Sequence, residues 1–377
     1  MLKQYQDIKA RYQDCILFFR LGDFYEMFYD DAKIASRILD VVLTSRGTDK
    51  TGRIPMCGIP YHAKETYITK IIKAGLKVAI CEQVEDPALA KGLVKRKIIK
   101  VITSGTFIDE NNFEPRYLLS ITLDNKFLGI AFSDTNSGQI QANQYPHKDR
   151  AIEIIAKLPI YESVFPLYAE EKIKDFFRHP LLKIKNVTLS PYDDWCFNPD
   201  IAKKALCEHF QTQTLKGFGI EDMPLAISSA GALLEYLKQM HCMPLRHIDK
   251  ISLYLDTDYV FISPAACHGL DLEELFKTID RTFTAFGKRG LKNWLYHPLK
   301  TEEAIIRRQE AVTLLKENPR IQQELNNLLK NIPDIEKSLS RISCADAGAK
   351  DMAALRNTLN RLPEIAKALM PIVEKNV

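Results

Sequence analysis

The hydrophobic period changes partway along the chain, and this change constrains the fold more than any other feature. Up to about residue 240 the apolar residues come in short runs bounded by Gly, Asn, Asp and Pro, whereas further on they recur at helical spacing. CILFFRL (15–21) is rich in aromatic and branched residues, as a buried strand should be. Gly22–Asp23 marks a turn and FYEMFY reads as a second short strand. DDAKIASRILDVVLT follows as a helix, with Ile34, Ile38 and Leu39 at helical spacing and Asp30–Asp31 where a helix N-terminus favours negative charge. ETYITKIIKAGLKVAICEQ predicts a helix ending near Gly75 and then a strand through Val78–Ile80. A second unit starts near Tyr117 as a three-strand meander, with turns at Asp124–Asn125 and Asn136–Ser137–Gly138, and continues through AIEIIAKL, SVFPLY and EEKIKDFF. From Thr301, a predicted N-cap, helical spacing runs through Leu314, Leu315, Ile321, Leu325, Leu328 and Ile332 and on into MAALRNTLNRLPEIAKAL. The expected fold class is multidomain, α/β followed by α, with units at 1–115, 116–240 and 241–377.

At 377 residues and 46% hydrophobic content the chain can bury more than one core. A net charge of +4 permits a polyanionic partner without demanding one. No apolar run is long enough to span a bilayer, and the polar start MLKQYQDIKARYQDC has no signal-peptide core, so no membrane association and a cytoplasmic location are expected. Eight cysteines are scattered without a CxxC pair, which reads as reduced thiols filling cores. His241–Cys242 and Cys267–His268 fit no common zinc spacing.

Enzyme signatures are missing from the sequence. There is no GxxxxGK[ST] phosphate loop, no GxSxG and no HExxH. AFGKRGLKN (285–293) has glycines and a lysine at the wrong spacing and reads as a helix interruption or tight packing site. Asp134, in FSDTNSG, is of a kind that carries a nuclease carboxylate, but alone beside Asn and Ser it reads as a turn residue.

The basic residues are more informative. KGLVKRKIIK (91–100) holds Lys91, Lys95, Arg96, Lys97 and Lys100 with no acid, and TSRGTDKTGR adds Arg46, Lys50 and Arg53. Two such runs in one small unit suggest a surface for phosphates, each of which adds sequence-blind, salt-sensitive affinity. In the same unit GDFYEMFY strings four aromatics around one Glu. In a strand Phe24 and Glu26 share a face, whereas in a helix they diverge by about 200°. A strand therefore aims one ring and one carboxylate side by side, in the manner of the wedges with which minor-groove binders unstack a duplex. The spacing equally allows Phe24 in the core and Glu26 at a solvent-facing strand end.

FFRLGDFYEMFYDDAKIAS, LTSRG, IPMCGIPYHA, VAICEQVEDP and VITSGT together resemble the mismatch-binding domain of the MutS family of DNA mismatch repair proteins. The resemblance continues through a connector-like stretch to TAFGKRGLKNWLYHPL, IIRRQEAV and DIEKSLSRI, similar to the start of the family's helical core. It covers essentially the whole chain, most densely over 15–106. It implies an N-terminal mixed α/β mismatch-binding domain, an RNase H-like α/β connector and a partial helical core (lever) domain, with the clamp and ATPase domains absent from this chain. The family's Phe-x-Glu motif falls on Phe24, implied to stack on a mispaired or unpaired base, and Glu26, implied to hydrogen-bond that base. Arg46, Met56 and His62 become neighbours on the DNA-facing surface, with Lys95, Arg96 and Lys97 of the basic run beside them. No catalytic, metal or nucleotide site is implied in this chain, although ATP and Mg2+ are expected for the full-length protein. The implied partners are double-stranded DNA with mispairs or small insertion/deletion loops, a second copy of the chain in a homodimer when full length, and downstream repair proteins such as MutL. The implied location is the bacterial cytoplasm, in association with the nucleoid. In the core region CHGLDLEEL lacks an Asn that many relatives carry before Leu-Glu, and Lys350 stands where Arg is usual. Two alternatives remain: a metal-dependent nuclease on the RNase H-like unit, and a non-sensing structural subunit of a MutS-like complex.

Overall fold

The computed structural model describes residues 1–49, 52–85, 94–107, 116–134, 139–183, 186–243, 245, 248–254, 259–260, 262, 264–330, 332–343 and 347–373. Lys50, Lys91, Cys344 and the expected turn at 136–138 lie outside them. The first unit comprises α1 (Leu2–Lys9), β1 (Cys15–Leu21), β2 (Phe24–Phe28), α2 (Tyr29–Leu39), β3 (Thr44–Asp49), β4 (Gly52–Pro60), α3 (Lys64–Lys73), β5 (Lys77–Gln83) and β6 (Arg96–Ile102). Its six-stranded sheet has the order β3-β4-β2-β1-β5-β6. Only the β1–β5 pairing is parallel.

β1 is central and covered on both faces, which is why its sequence is an unbroken apolar run. Ile16 and Phe18 enter one cluster with residues of α2 and α3, while Cys15, Leu17 and Phe19 enter another with Tyr5 of α1. Asp31 does more than favour a helix start. It is buried, accepts hydrogen bonds from the Tyr5 hydroxyl (2.8 Å) and the Leu17 N–H (3.0 Å), and pairs with Lys9 (2.8 Å). One carboxylate thereby ties α1, β1 and α2 together.

Periodicity did not predict β3, β4 or β6. The Gly and Pro of β3 and β4 disfavour strands and the basic residues of β6 break its apolar pattern, yet β4 pairs with β2 and β3, and β6 with β5. Pro55 is tolerated in β4 because the β3 pairing slips between Ser45 and Thr48, next to the Ser45–Pro55 pair.

The second unit contains β7 (Tyr117–Leu123), β8 (Leu128–Asp134), β9 (Gln139–Tyr145), α4 (Lys148–Lys157), β10 (Ile160–Pro166), α5 (Glu170–Phe177), the short α6 (Pro180–Lys183), β11 (Thr188–Tyr192), α7 (Pro199–Phe210), α8 (Pro224–His241) and β12 (Lys250–Leu253). Its sheet order is β11-β10-β7-β8-β9-β12. The antiparallel meander β7–β9 is extended by β10 and β11, both parallel to β7, as in an RNase H-like sheet. β12 adds in parallel to β9, so this sheet reaches Leu253 rather than stopping at 240. A four-residue strand after a long helix leaves too short a signal to read from sequence.

α8 is buried nearly all round because it packs on β7, β8 and β9 and also on β6 of the first unit. Two glycines permit close packing of α8, one against the sheet and one against α7. A Cβ at Gly129 would lie 2.3 Å from the Leu225 backbone, and one at Gly231 would lie 2.4 Å from the Ala202 Cβ.

The remainder is helical: α9 (Pro264–Gly269), α10 (Leu272–Ile279), α11 (Ala285–Tyr296), α12 (Glu302–Glu317), α13 (Pro319–Leu329), α14 (Ile335–Ser343) and α15 (Ala349–Val373). AFGKRGLKN does not interrupt a helix but forms α11, capped by Thr284 Oγ1, which accepts from the Gly287 N–H at 3.0 Å. Its Arg289 makes a two-pronged bridge to Asp334 at 2.6 and 2.8 Å. No helix among the described residues is long and apolar enough to cross a membrane.

Candidate nucleic-acid interface

β1 and β2 form a tight hairpin in which Leu21 pairs with Phe24 across Gly22–Asp23. Gly22 has φ 57°, a conformation glycine adopts without a Cβ clash and the one a type II′ hairpin turn requires at its first position. Alternation puts Tyr25 and Met27 into the core under α2 and α3, and Phe24, Glu26 and Phe28 on the opposite face. Tyr5 of α1 covers Phe28 edge-on at 5.1 Å. The cover does not reach the other end of the strand, where Phe24 is 49% exposed. The core placement of Phe24 that the spacing allowed is therefore not what the structure has.

Glu26 is not a solvent residue either. Arg46 Nη1 lies 2.8 Å from both of its oxygens, with the Glu26 side chain 13% exposed and that of Arg46 52% exposed. The pairing is not evident from strand order, since β4 stands between β2 and β3. Glu26 faces Gly58, whereas Ser45 faces Pro55, about 10 Å further along the strand at 3.4 Å per residue. The register slip after Ser45 bends the hairpin, as β-bulges do, and carries Arg46 toward Glu26.

The end that bears Phe24 gathers further groups. Phe24 pairs with Pro60, and the Tyr61 N–H donates to the Asp23 carbonyl at 3.0 Å. The half-exposed Tyr61 ring carries the Arg20 guanidinium 3.8 Å from its centroid, with the exposed His62 against its edge. Sequence reasoning did not single out Tyr61 or Arg20, although both lie in the stretches that carry the family resemblance. Met56 shares the Phe24 face but pairs with Phe28 and packs on the Tyr5 cluster, at the opposite end of β2.

The basic run is not one surface. Arg96 is only 8% exposed, and its guanidinium donates to the carbonyls of Arg20 (2.7 Å) and Val94 (2.8 Å) and to Gln4 Oε1 while lying over the Phe19 ring. It locks α1 to the sheet and is not available to a phosphate. Lys95 and Lys97 are exposed, but β6 is three strand spacings, about 14 Å, from β2. Alternation also turns Lys97 to the face opposite Arg96, away from that of Phe19 and Glu26. Only Arg46 and His62 of the predicted surface residues flank the Phe24–Glu26 pair.

The second unit offers little for metal chemistry. Asp134 ends β8 beside Tyr117, whose phenol is pushed up to about 12 by burial and by that carboxylate. Among the described residues no three His, Cys, Asp or Glu side chains converge to hold a metal. The most enclosed acid of this unit is Glu162 on β10. Gly105 N–H (2.9 Å), Ser190 Oγ (2.6 Å), Tyr236 OH (2.7 Å) and Thr103 Oγ1 all donate to it. Thr103 and Gly105 belong to the segment leading from β6 to the second unit. Nothing in IYESVFP distinguishes this Glu from a solvent-facing one. In the helical region, the glycines and Lys288 of AFGKRGLKN lie within α11, and Lys288 pairs with Asp280 at 3.5 Å, so this stretch does not form a loop that cradles phosphate.

Comparison with known proteins matches this architecture in order. The model of MutS domain I matches residues 1–111, that of MutS domain II residues 116–249, and that of MutS domain III residues 265–376. The chain belongs to the MutS family. The DNA mismatch repair protein MutS of Symbiobacterium thermophilum is 40% identical over 388 residues, covering 98% of this chain and 44% of that protein. The MutS proteins of Alkaliphilus oremlandii and Halothermothrix orenii are 37% and 38% identical, with 97% and 98% of this chain and 44% and 42% of theirs covered. The chain thus spans less than half the length of these MutS relatives. The mixed α/β sheets followed by helices are the arrangement of MutS domains I, II and III.

Proposed function

We propose that the chain takes part in DNA mismatch repair by testing duplex DNA for mispaired or unpaired bases. Phe24 is the wedge that enters the stack from the minor groove, and Glu26 accepts a hydrogen bond from the displaced base. The observation that carries this reading is the half-exposed Phe24 ring beside a carboxylate, on a strand whose other rings are largely covered. Stacking on an aromatic side chain is worth about 1–3 kcal/mol. Unstacking costs a few kcal/mol, and least where a base is already mispaired, so the balance favours the defect. Arg46 supplies salt-sensitive attraction to the backbone, with His62 at the margin. The connector and helical units would pass the bent state on to the ATP- and Mg2+-dependent part of a full-length dimeric protein and to partners such as MutL.

Fluorescence anisotropy at low salt tests the reading, using a duplex with one unpaired thymine and its matched twin. The chain is expected to prefer the defect, and Phe24→Ala to bind both duplexes alike. A preference that survives Phe24→Ala would overturn it.

A further inference from the structure

We infer that Arg46 is an exchangeable counter-ion for Glu26, given up to a backbone phosphate when an unpaired base offers Glu26 an N–H donor in its place. Recognising a defect and making one more phosphate contact are then a single event. The inference rests on the role proposed above for Phe24 and Glu26.

The geometry sets up the competition. One nitrogen, Arg46 Nη1, occupies both oxygens of Glu26 at 2.8 Å. A carboxylate only accepts and a guanidinium only donates, so the two satisfy each other while no DNA is bound. Paired, they present little net charge to a phosphate. Separated, Arg46 is drawn to the backbone, and Glu26 is repelled by it unless it finds a donor.

A matched A·T step offers no such donor in the minor groove, because only acceptors face that groove and the N–H groups that pair the bases are already engaged. Breaking the pair there would leave a bare carboxylate among phosphates, and Arg46 stays where it is. An unpaired base levered out by Phe24 presents a free N–H. Glu26 then changes partner, and Arg46 can turn outward to a phosphate. Its half-exposed side chain and its position on the bent β3–β4 hairpin leave it room to do so. The arrangement also accounts for a carboxylate on a DNA-facing surface. Glu26 adds no repulsion until it is needed, and thereafter it penalises every complex in which no base replaces the arginine.

Salt dependence reads the exchange directly, since each phosphate neutralised on B-DNA adds about 0.9 to the slope of log K against log[salt]. For the full chain, the slope for the unpaired-thymine duplex is expected to exceed the matched slope by about 0.9. Glu26→Gln releases Arg46 in both complexes, so its matched slope should rise by about 0.9 and the difference should vanish. Arg46→Gln should also abolish the difference, at the lower value. The double variant should return the matched slope to that of Arg46→Gln. A Glu26→Gln matched slope unchanged from that of the parent chain, or a slope difference that persists in Arg46→Gln, would overturn the inference. No defect preference in the parent chain would sink the wedge reading and the exchange with it, whereas a defect preference with equal parent slopes would sink the exchange alone. Both substitutions lie on the surface of the sheet, and unchanged urea midpoints would show that the fold is intact.

Discussion

Replacing Glu162 by Leu should loosen the junction between the first two units, and the cost can be worked from its four donors. Oε1 accepts from Ser190 and Tyr236, and Oε2 from Thr103 and Gly105, which uses the roughly four acceptor positions of an ionised carboxylate. All four donors are neutral groups, so the stability of the arrangement depends on complete satisfaction of the buried oxygens. Leucine removes every acceptor. Thr103 keeps a partner in Thr106 Oγ1 at 3.0 Å, and the Ser190 hydroxyl can rotate. The backbone N–H of Gly105 and the fully enclosed Tyr236 hydroxyl are stranded. At about 1–3 kcal/mol for each buried orphan the loss is about 2–6 kcal/mol. Glu162→Gln should cost less than about 2 kcal/mol. Its amide oxygen can serve Thr103 and Gly105, and its NH2 can donate to the Ser190 and Tyr236 hydroxyls once they turn. Urea unfolding followed by circular dichroism gives the stabilities, and hydrogen exchange at the Gly105 amide gives the local effect. Protection there should fall for Leu and largely persist for Gln. A Leu variant within about 1 kcal/mol of the parent, or Gln and Leu variants equally unstable, would refute the reasoning.

Arg96→Ala should lower stability by about 1–3 kcal/mol, through lost hydrogen bonds to buried carbonyls, while leaving the salt slope of DNA binding unchanged; a reduced slope would return Arg96 to the phosphate surface. Asp31→Ala strands the Leu17 N–H and leaves the Tyr5 hydroxyl only its longer bond to the Phe28 carbonyl (3.3 Å), and the urea midpoint should fall by the equivalent of about 1–3 kcal/mol. Burial raises the thiols of Cys15 and Cys81 to about 12 and those of Cys57 and Cys196 to about 11. Their unfolded forms ionise at about 8.5, so their contribution to stability is full below that pH and is lost as pH rises toward 11–12. Urea midpoints should therefore decline from pH 8 to pH 10, and a flat profile would show that these thiols are not enclosed.

Much of this fold is legible in the sequence alone. CILFFRL is β1 to the residue, the meander is β7–β9, and the helical spacing beyond Thr301 becomes α12 to α15. What escaped is what local pattern cannot encode. β3 and β4 carry Gly and Pro and β6 a basic run, and they are strands because they find partners: β3 in β4, β4 also in β2, and β6 in β5. Arg96 and Lys97 are neighbours in one basic run, yet one is buried in hydrogen bonds and the other exposed. Only the strand's alternation against a packed face separates them.

The sequence by itself determined β1, β2, the β7–β9 meander, the helices beyond Thr301 and the placement of Phe24 and Glu26 on one face of a short strand, because these follow from periods of 2 and 3.6 residues in the local pattern. Tertiary structure decided which face stays open. α1 covers Phe28 and stops short of Phe24, a matter of where a helix from before β1 comes to rest. It also decided the partners of the charged groups: Arg46 for Glu26, Lys9 for Asp31, and four neutral donors for Glu162. Each of these contacts joins segments remote in sequence, and a charge's partner is set by the three-dimensional path of the chain rather than by its neighbours along it.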